Sequence, residues 1–145
     1  MTKKEYKSFI KKSIKRYATE EIKSGYWTKD EALKESKAMY KRNLGKGFSQ
    51  SKFDFYKIKN DKSKKVGYLW LMKKPKALFI AEIYIRKKHR HQGYGKALLK
   101  KVDKIAKRLK LDKIELSVLG HNQIAQSFYT QSGYRVNSEF RVKRI

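Results

Sequence analysis

Arg90-His91-Gln92-Gly93-Tyr94-Gly95 sets two glycines among cations, between an apolar run and an amphipathic helix. Upstream, Ala77 to Ile85 reads Ala-Leu-Phe-Ile-Ala-Glu-Ile-Tyr-Ile, rich in the β-branched and aromatic side chains of a strand. Downstream, Leu98, Leu99, Val102, Ile105, Ala106 and Leu109 recur at helical spacings of three and four. A strand, a glycine-bearing turn and a helix in that order aim backbone N–H groups and the positive end of a helix dipole at one point. Anions bind there.

The residues exclude two common phosphate motifs. The dinucleotide fingerprint G-x-G-x-x-G needs a third glycine where Leu98 stands, and the nucleoside triphosphate loop needs glycine at Arg90 and a hydroxyl at Ala97. What remains is Arg90-x-x-Gly93-x-Gly95. This pattern resembles the pyrophosphate loop of the GNAT superfamily of N-acetyltransferases, which holds acetyl-coenzyme A.

A second stretch makes the resemblance specific. Asn122 is placed to cap a short helix carrying Ala125, Phe128 and Tyr129, with Gly133 closing it. In the GNAT superfamily a strand, an Asn, an Ala three on, an aromatic-Tyr pair and a closing Gly-aromatic form the second half of the coenzyme A site. Ile114 to Val118, Asn122, Ala125, Phe128-Tyr129 and Gly133-Tyr134 match that order and spacing.

Length and composition set outer bounds. The 145 residues suffice for one domain, 1–145, with a real core. No cysteine is present, which excludes disulfides, thiolate metal sites and a cysteinyl acyl-enzyme. His89, His91 and His121 show no metal-binding spacing, so no metal is expected. No apolar run approaches the ~18 residues of a membrane span, and Met1 to Tyr17 lacks the apolar core of a signal peptide, so membrane insertion is not expected and a cytoplasmic location is. The 39 Lys and Arg against 13 Asp and Glu give a formal charge of +26, which attracts polyanions without selecting one. The cations are spread along the whole chain, as on a solvated surface.

From the amino terminus, Tyr6, Phe9, Ile10, Ile14, Tyr17, Ala18 and Ile22 form an apolar stripe on a first helix, closed by Gly25. Thr28-Lys29-Asp30-Glu31 is a capping box that starts a second helix, with Ala32, Leu33, Ser36, Met39 and Tyr40 on its inner face and Leu44-Gly45-Lys46-Gly47 at its end. Phe53 to Ile58 and Val66 to Met72, split by the turn cluster Asn60-Asp61-Lys62-Ser63, form a β-hairpin. Pro75 marks the next turn before the Ala77–Ile85 strand. Ile114 to Val118 follows the long helix, and the strand-helix-strand link makes it a parallel neighbour of Ala77–Ile85. The expected fold is α/β (α+β), a GNAT-like mixed, mostly antiparallel central sheet with helices on both faces.

The resemblance implies an acetyl-coenzyme A-dependent N-acetyltransferase. It implies cofactor contacts from Ile83, Tyr84 and Ile85 in the strand, from Arg90, His91, Gln92, Gly93, Tyr94, Gly95 and Lys96 in the loop, and from Asn122 and Phe128. Backbone N–H groups of the Ala81 to Ile85 strand are the implied partners of the thioester carbonyl, and Tyr129 matches the family's general acid. Glu82, the carboxylate of the central strand, is the candidate base. Tyr26, Trp27 and His121 are candidate substrate contacts; the alternative for Trp27 is a packing residue beside the cap, and for His121 a surface histidine before a helix cap. With no cysteine, transfer is expected to be direct, through a ternary complex with a small-molecule or protein amine.

Two other classes stay open at this level: a basic nucleic-acid-binding module and a domain that binds coenzyme A without catalysis. Against the first stand the absence of RNP, helix-turn-helix and zinc patterns and the excess of 31 Lys over 8 Arg. A field this positive is expected to favour acceptors carrying one amine over polycations, unless carboxylates near Glu82, Glu20 or Glu21 override it locally.

Overall fold

The computed structural model describes residues 1–45 and 47–145, so Lys46, in the expected end of the second helix, lies outside the described residues. The chain falls into two compact units, Met1–Tyr6 with Lys46–Ser117, and Lys7–Gly45 with Val118–Ile145.

The first unit carries a four-stranded sheet in the order β1-β2-β3-β4, formed by Phe53–Lys59, Lys65–Lys74, Ala77–Ile85 and Ile114–Leu116. The first three pair antiparallel and β4 pairs parallel to β3, giving the mixed, mostly antiparallel sheet expected from the sequence. Val66 to Leu71 of β2 are all buried, the mark of a central strand with both faces covered. Phe55 lies opposite Trp70 in register, and the two rings stack at 5.4 Å. Phe53, two residues earlier on the same face, meets Trp70 edge-on at 5.7 Å. Tyr6 extends the cluster onto Phe55 at 4.8 Å.

Two irregularities shape the sheet. Trp70 pairs with Glu82 and Leu71 with Ile80, so Ala81 is an extra residue in β3 and makes a bulge. Pairing of β3 with β4 covers only Leu78 to Ile80 and stops immediately before that bulge. The fourth strand is therefore shorter than the expected Ile114 to Val118, because the bulge bends β3 away from the line β4 would follow. At the other end of the β2–β3 pair, Gly67 lies opposite Ile85, and a Cβ on Gly67 would sit 2.2 Å from the Tyr84 carbonyl oxygen.

Helix α3, Tyr94–Arg108, follows β3 and buries Leu98, Leu99, Val102 and Ala106. Leu109, expected in that stripe, caps the helix and is exposed, since the turn ends before its side chain comes round.

The start of helix α1, Lys3–Lys23, also belongs to this unit through Met1–Tyr6. Thr2 N–H donates to Glu5 Oε2 at 2.9 Å and Glu5 N–H to Thr2 Oγ1 at 3.2 Å, a reciprocal cap. The Lys57 ammonium, 2.5 Å from Glu5, joins that cap in pulling the Glu5 carboxyl from 4.5 down to about 2.

In the second unit, α2 (Lys29–Leu44) starts at the expected capping box: Glu31 N–H donates to Thr28 Oγ1, and Thr28 N–H donates to Glu31 Oε2 at 2.9 Å. Its buried face is Ala32, Ser36, Tyr40 and Leu44, while Leu33, expected there, is exposed one position round the helix. Tyr17 of α1 meets Tyr40 of α2 edge-on at 6.3 Å. Gly25 closes α1 with φ +76. Helix α4, Gln123–Gln131, follows, and residues 134–145 run on without regular structure. Arg144 ties that tail to the helix connection by donating to the Tyr26 carbonyl at 3.0 Å and pairing with Glu31 at 2.7 Å. Among the described residues no helix is long and apolar enough to cross a membrane.

Gly67→Ala tests the β2–β3 approach. A methyl pressed against a backbone carbonyl cannot be relieved by a rotamer change, so the substitution should cost about 3 kcal/mol, the upper end for overpacking. Urea unfolding followed by circular dichroism measures it.

Candidate active site

Beyond Ala81, the Glu82–Ile85 half of β3 keeps its pairing with β2 while β4 no longer runs beside it. The β3–β4 ladder thus ends before the stretch whose backbone is expected to meet a thioester. Ile83, Tyr84 and Ile85 are all half-buried there, and so is Glu82, opposite Trp70.

The chain then turns through Lys87–His89, a single 3-10 turn, into the glycine loop. Arg90 is exposed, yet its side chain folds back onto the strand. Its Nε donates to the Ile85 carbonyl at 3.0 Å, and its guanidinium lies 5.9 Å from the centre of the Tyr84 ring. Gln92 likewise folds back, donating from Nε2 to the Lys88 carbonyl at 3.1 Å. His91 (φ +57) and Gly93 (φ +80) adopt the left-handed conformation, and alternation of hand along a short segment turns successive N–H groups to one side. The first helical bond of α3 runs from Ala97 N–H to the Gly93 carbonyl at 3.0 Å. The N–H groups of Tyr94, Gly95 and Lys96 therefore precede the helical ladder and face outward with the dipole behind them. Arg86, Lys87, Lys88, Arg90 and Lys96 add fixed positive charge in this stretch.

The second unit holds the other expected group. Asn122 Oδ1 accepts from Ala125 N–H at 3.1 Å, capping α4 as its sequence position predicts. Gln126 Nε2 donates to the Gly120 carbonyl at 2.9 Å, fixing the turn before the cap. Tyr129 packs between Phe128 at 5.2 Å and Tyr134 at 5.6 Å, and burial pushes its phenol above the ordinary value. It stays protonated at neutral pH and can donate. Gly133, at φ +90, lets the chain reverse so that Tyr134 N–H reaches the Tyr129 carbonyl at 3.0 Å. Phe128 also lines a shallow depression of about 420 Å³ on α4.

His121 Nε2 lies 3.0 Å from Glu20 Oε2. Burial raises the Glu20 carboxyl, but hydrogen bonds from Lys23 and His121 outweigh it and hold the group below the usual carboxylate value. The Tyr26 hydroxyl is buried with no hydrogen-bond partner among the described residues. Trp27 lines a cavity of about 160 Å³ with Tyr17, Glu21, Ala32, Glu35, Ser36, Met39 and Arg42. Apart from Glu21 and Trp27, these are residues that sequence reasoning did not assign to a site. Glu35 sits one turn after Glu31, a spacing legible as a helix face but not as a cavity wall.

Residues 16–134 match the acetyltransferase (GNAT) family, a span running through both units, and the chain belongs to that family. Its enzymes bind acetyl-coenzyme A and an amine acceptor. The chain is 30% identical over 142 residues to YdgE, an uncharacterized N-acetyltransferase of Bacillus subtilis (strain 168), covering 95% of this chain and 90% of YdgE. It is 28% identical to YycN of the same organism, covering 100% of this chain and 96% of YycN. The crystal structure of YycN superposes with a TM-score of 0.92 over 100% of this chain and 95% of its own. AAC(6')-Iy, solved with a bisubstrate analog of coenzyme A and an acetylated neamine, shares the fold at 13% identity, with a TM-score of 0.57 over 80% of this chain and 79% of its own.

Gly93→Ala isolates the conformational demand of the loop. A Cβ there would meet nothing within 4 Å, so the cost comes from the positive φ alone. It should be about 1 kcal/mol, read from the urea midpoint with an unchanged slope.

Proposed function

We propose that the chain transfers the acetyl group of acetyl-coenzyme A directly to an amine in a ternary complex. The observation that supports this best is the sequence of features along β3 and the loop in a GNAT chain: the Ala81 bulge, the stretch beyond the end of the β4 pairing, two left-handed residues, and the α3 amino terminus. In this reading the N–H groups around Gly93 to Lys96 take the pyrophosphate, and backbone N–H groups between Ala81 and Ile85 stabilise the carbonyl oxygen as it gains charge.

The neutral amine nitrogen attacks the thioester carbon. The C–N bond forms, the C–S bond breaks, and the sulfur leaves with the bonding pair. Tyr129 donates the proton that the thiolate takes, a role that suits a phenol whose burial disfavours ionisation. Glu82 accepts the proton that the nitrogen loses, directly or through water. No cysteine is present to carry the acetyl group as a covalent intermediate.

Acetyl-coenzyme A should raise the melting temperature, by an amount equivalent to roughly 2.7 kcal/mol at a hundredfold excess over its dissociation constant. Gly95→Glu should abolish the shift by placing a carboxylate where the pyrophosphate approaches. No shift at millimolar ligand would sink the assignment, and a shift without free thiol release across an amine panel would leave a binding domain without catalysis.

Tyr129→Phe removes a single oxygen and separates two roles for that residue. If the phenol protonates the leaving sulfur, turnover should fall about 10²-fold while the Michaelis constant for acetyl-coenzyme A changes little. Unchanged turnover with a lowered melting temperature would make Tyr129 a packing residue.

A further inference from the structure

The cavity between α1 and α2 has walls of opposite character. Tyr17, Trp27, Ala32 and Met39 are apolar or aromatic, whereas Glu21, Glu35, Ser36 and Arg42 are polar. We propose that it binds a small organic ammonium ion, on the scale of a short aliphatic amine or amino acid, through Glu21, Glu35 and Ser36 beside the Trp27 ring. The family resemblance makes Trp27 a candidate substrate contact but gives Glu35 and Ser36 no ligand role, and the proposal does not depend on the roles given to Tyr129 or Glu82.

Three observations carry it. The Ser36 side chain is buried, with 1% of its surface exposed, and its hydroxyl has no hydrogen-bond partner among the described residues. A buried hydroxyl without a partner carries an unrecovered desolvation cost, which a donor entering the cavity would recover. Next, Glu21 and Glu35 both line the cavity, and no ion pair engages either among the described residues, in a chain where cations outnumber acids by 39 to 13. Tyr17 hydrogen-bonds Glu21, and its own phenol is raised, first by burial and then by that carboxylate. The Tyr17 proton thus stays in place and holds one part of the Glu21 carboxylate, leaving the remaining lone pairs for a ligand donor. Finally, the aromatic walls supply faces on which a cation rests favourably.

Size and charge narrow the ligand. About 160 Å³ matches roughly six non-hydrogen atoms, since a cavity of about 150 Å³ takes a benzene. Arg42 is the cation on the wall, so the cavity carries two negative charges against one positive. One ammonium group is matched by that balance, and a carboxylate on the same ligand would find Arg42. A polyamine would meet Arg42 and the field of a chain at +26.

The test uses the full chain and n-butylamine, with 4-aminobutanoate as the zwitterionic probe and 1-butanol as the uncharged control. The ¹⁵N-labelled Trp27 indole N–H should shift saturably with n-butylamine, with Kd on the order of 1 mM. Glu21→Gln with Glu35→Gln should weaken binding about tenfold or more, the scale of losing charged hydrogen-bond acceptors. Ser36→Ala should weaken it while leaving the urea midpoint unchanged or higher, which a purely structural hydroxyl would not do. The melting shift given by acetyl-coenzyme A should persist in all these variants, so that failure here is distinct from failure of the acetyltransferase reading.

Equal binding of 1-butanol, unsaturable shifts with both amines, or wild-type affinity in the double glutamine variant would overturn the proposal. Acetylation of the bound amine, with kcat/KM falling in step with affinity in the double variant, would make the ligand the acceptor. Binding without acetylation would make it a separate ligand. Both outcomes uphold an ammonium site.

Discussion

The pairing of β2 with β3 constrains everything around the glycine loop. At one end it brings Gly67 so close to the Tyr84 carbonyl that no side chain fits, which fixes where β3 hands over to the loop. In its middle it accommodates one extra residue, Ala81, and that bulge turns β3 out of line with β4 after three paired residues. The end of the β3–β4 ladder before Glu82 to Ile85 follows from the bulge and needs no separate device. Arg90 then binds the strand end to the loop through the Ile85 carbonyl and the Tyr84 ring. The aromatic cluster of Phe53, Phe55 and Trp70 supports the pair from the β1 side.

Electrostatics works on two scales in this chain. The long-range field is set by the excess of 26 cations and draws anions of any kind, so it raises the encounter rate with a nucleotide-like substrate without recognising one. Recognition needs oriented donors, a part that the proposed function assigns to the left-handed residues and the α3 amino terminus. The few carboxylates matter locally. Glu5, Glu31 and Glu115 are each lowered, chiefly by hydrogen bonds from Lys57, Thr28 and Lys74 respectively, and so act as fixed anions that tie elements together. Glu21 and Glu35 do no such tying and instead give one cavity wall a sign opposite to that of the chain.

Caps and turns were readable because their chemistry is local. Thr28 and Glu31 form the cap that their spacing spells, Asn122 holds the Ala125 N–H, and Gly25, Gly93 and Gly133 stand at positive φ where turns were placed. The same three-residue spacing occurs at Thr2 and Glu5, and it too forms a cap, directly before the apolar stripe that begins at Tyr6. Leu33 and Leu109 misled because a hydrophobic residue at the margin of a helical stripe is assigned inward by periodicity. Whether it is covered depends on what lies beside that margin, a non-local fact.

The sequence by itself determined the order of elements, the antiparallel hairpin, the parallel return to β3, the glycine-bearing loop and the capped Tyr129 helix. Each depends on propensities or on spacings of a few residues, which act within one or two turns of chain. The tertiary structure alone decided that Ala81 bulges, that β4 stops at Leu116, that Gly67 has no room for a side chain, and that Glu21, Glu35 and Ser36 share a cavity. These depend on register and on the approach of separate segments. Such packing arises between residues that are remote along the chain, where no local pattern records it.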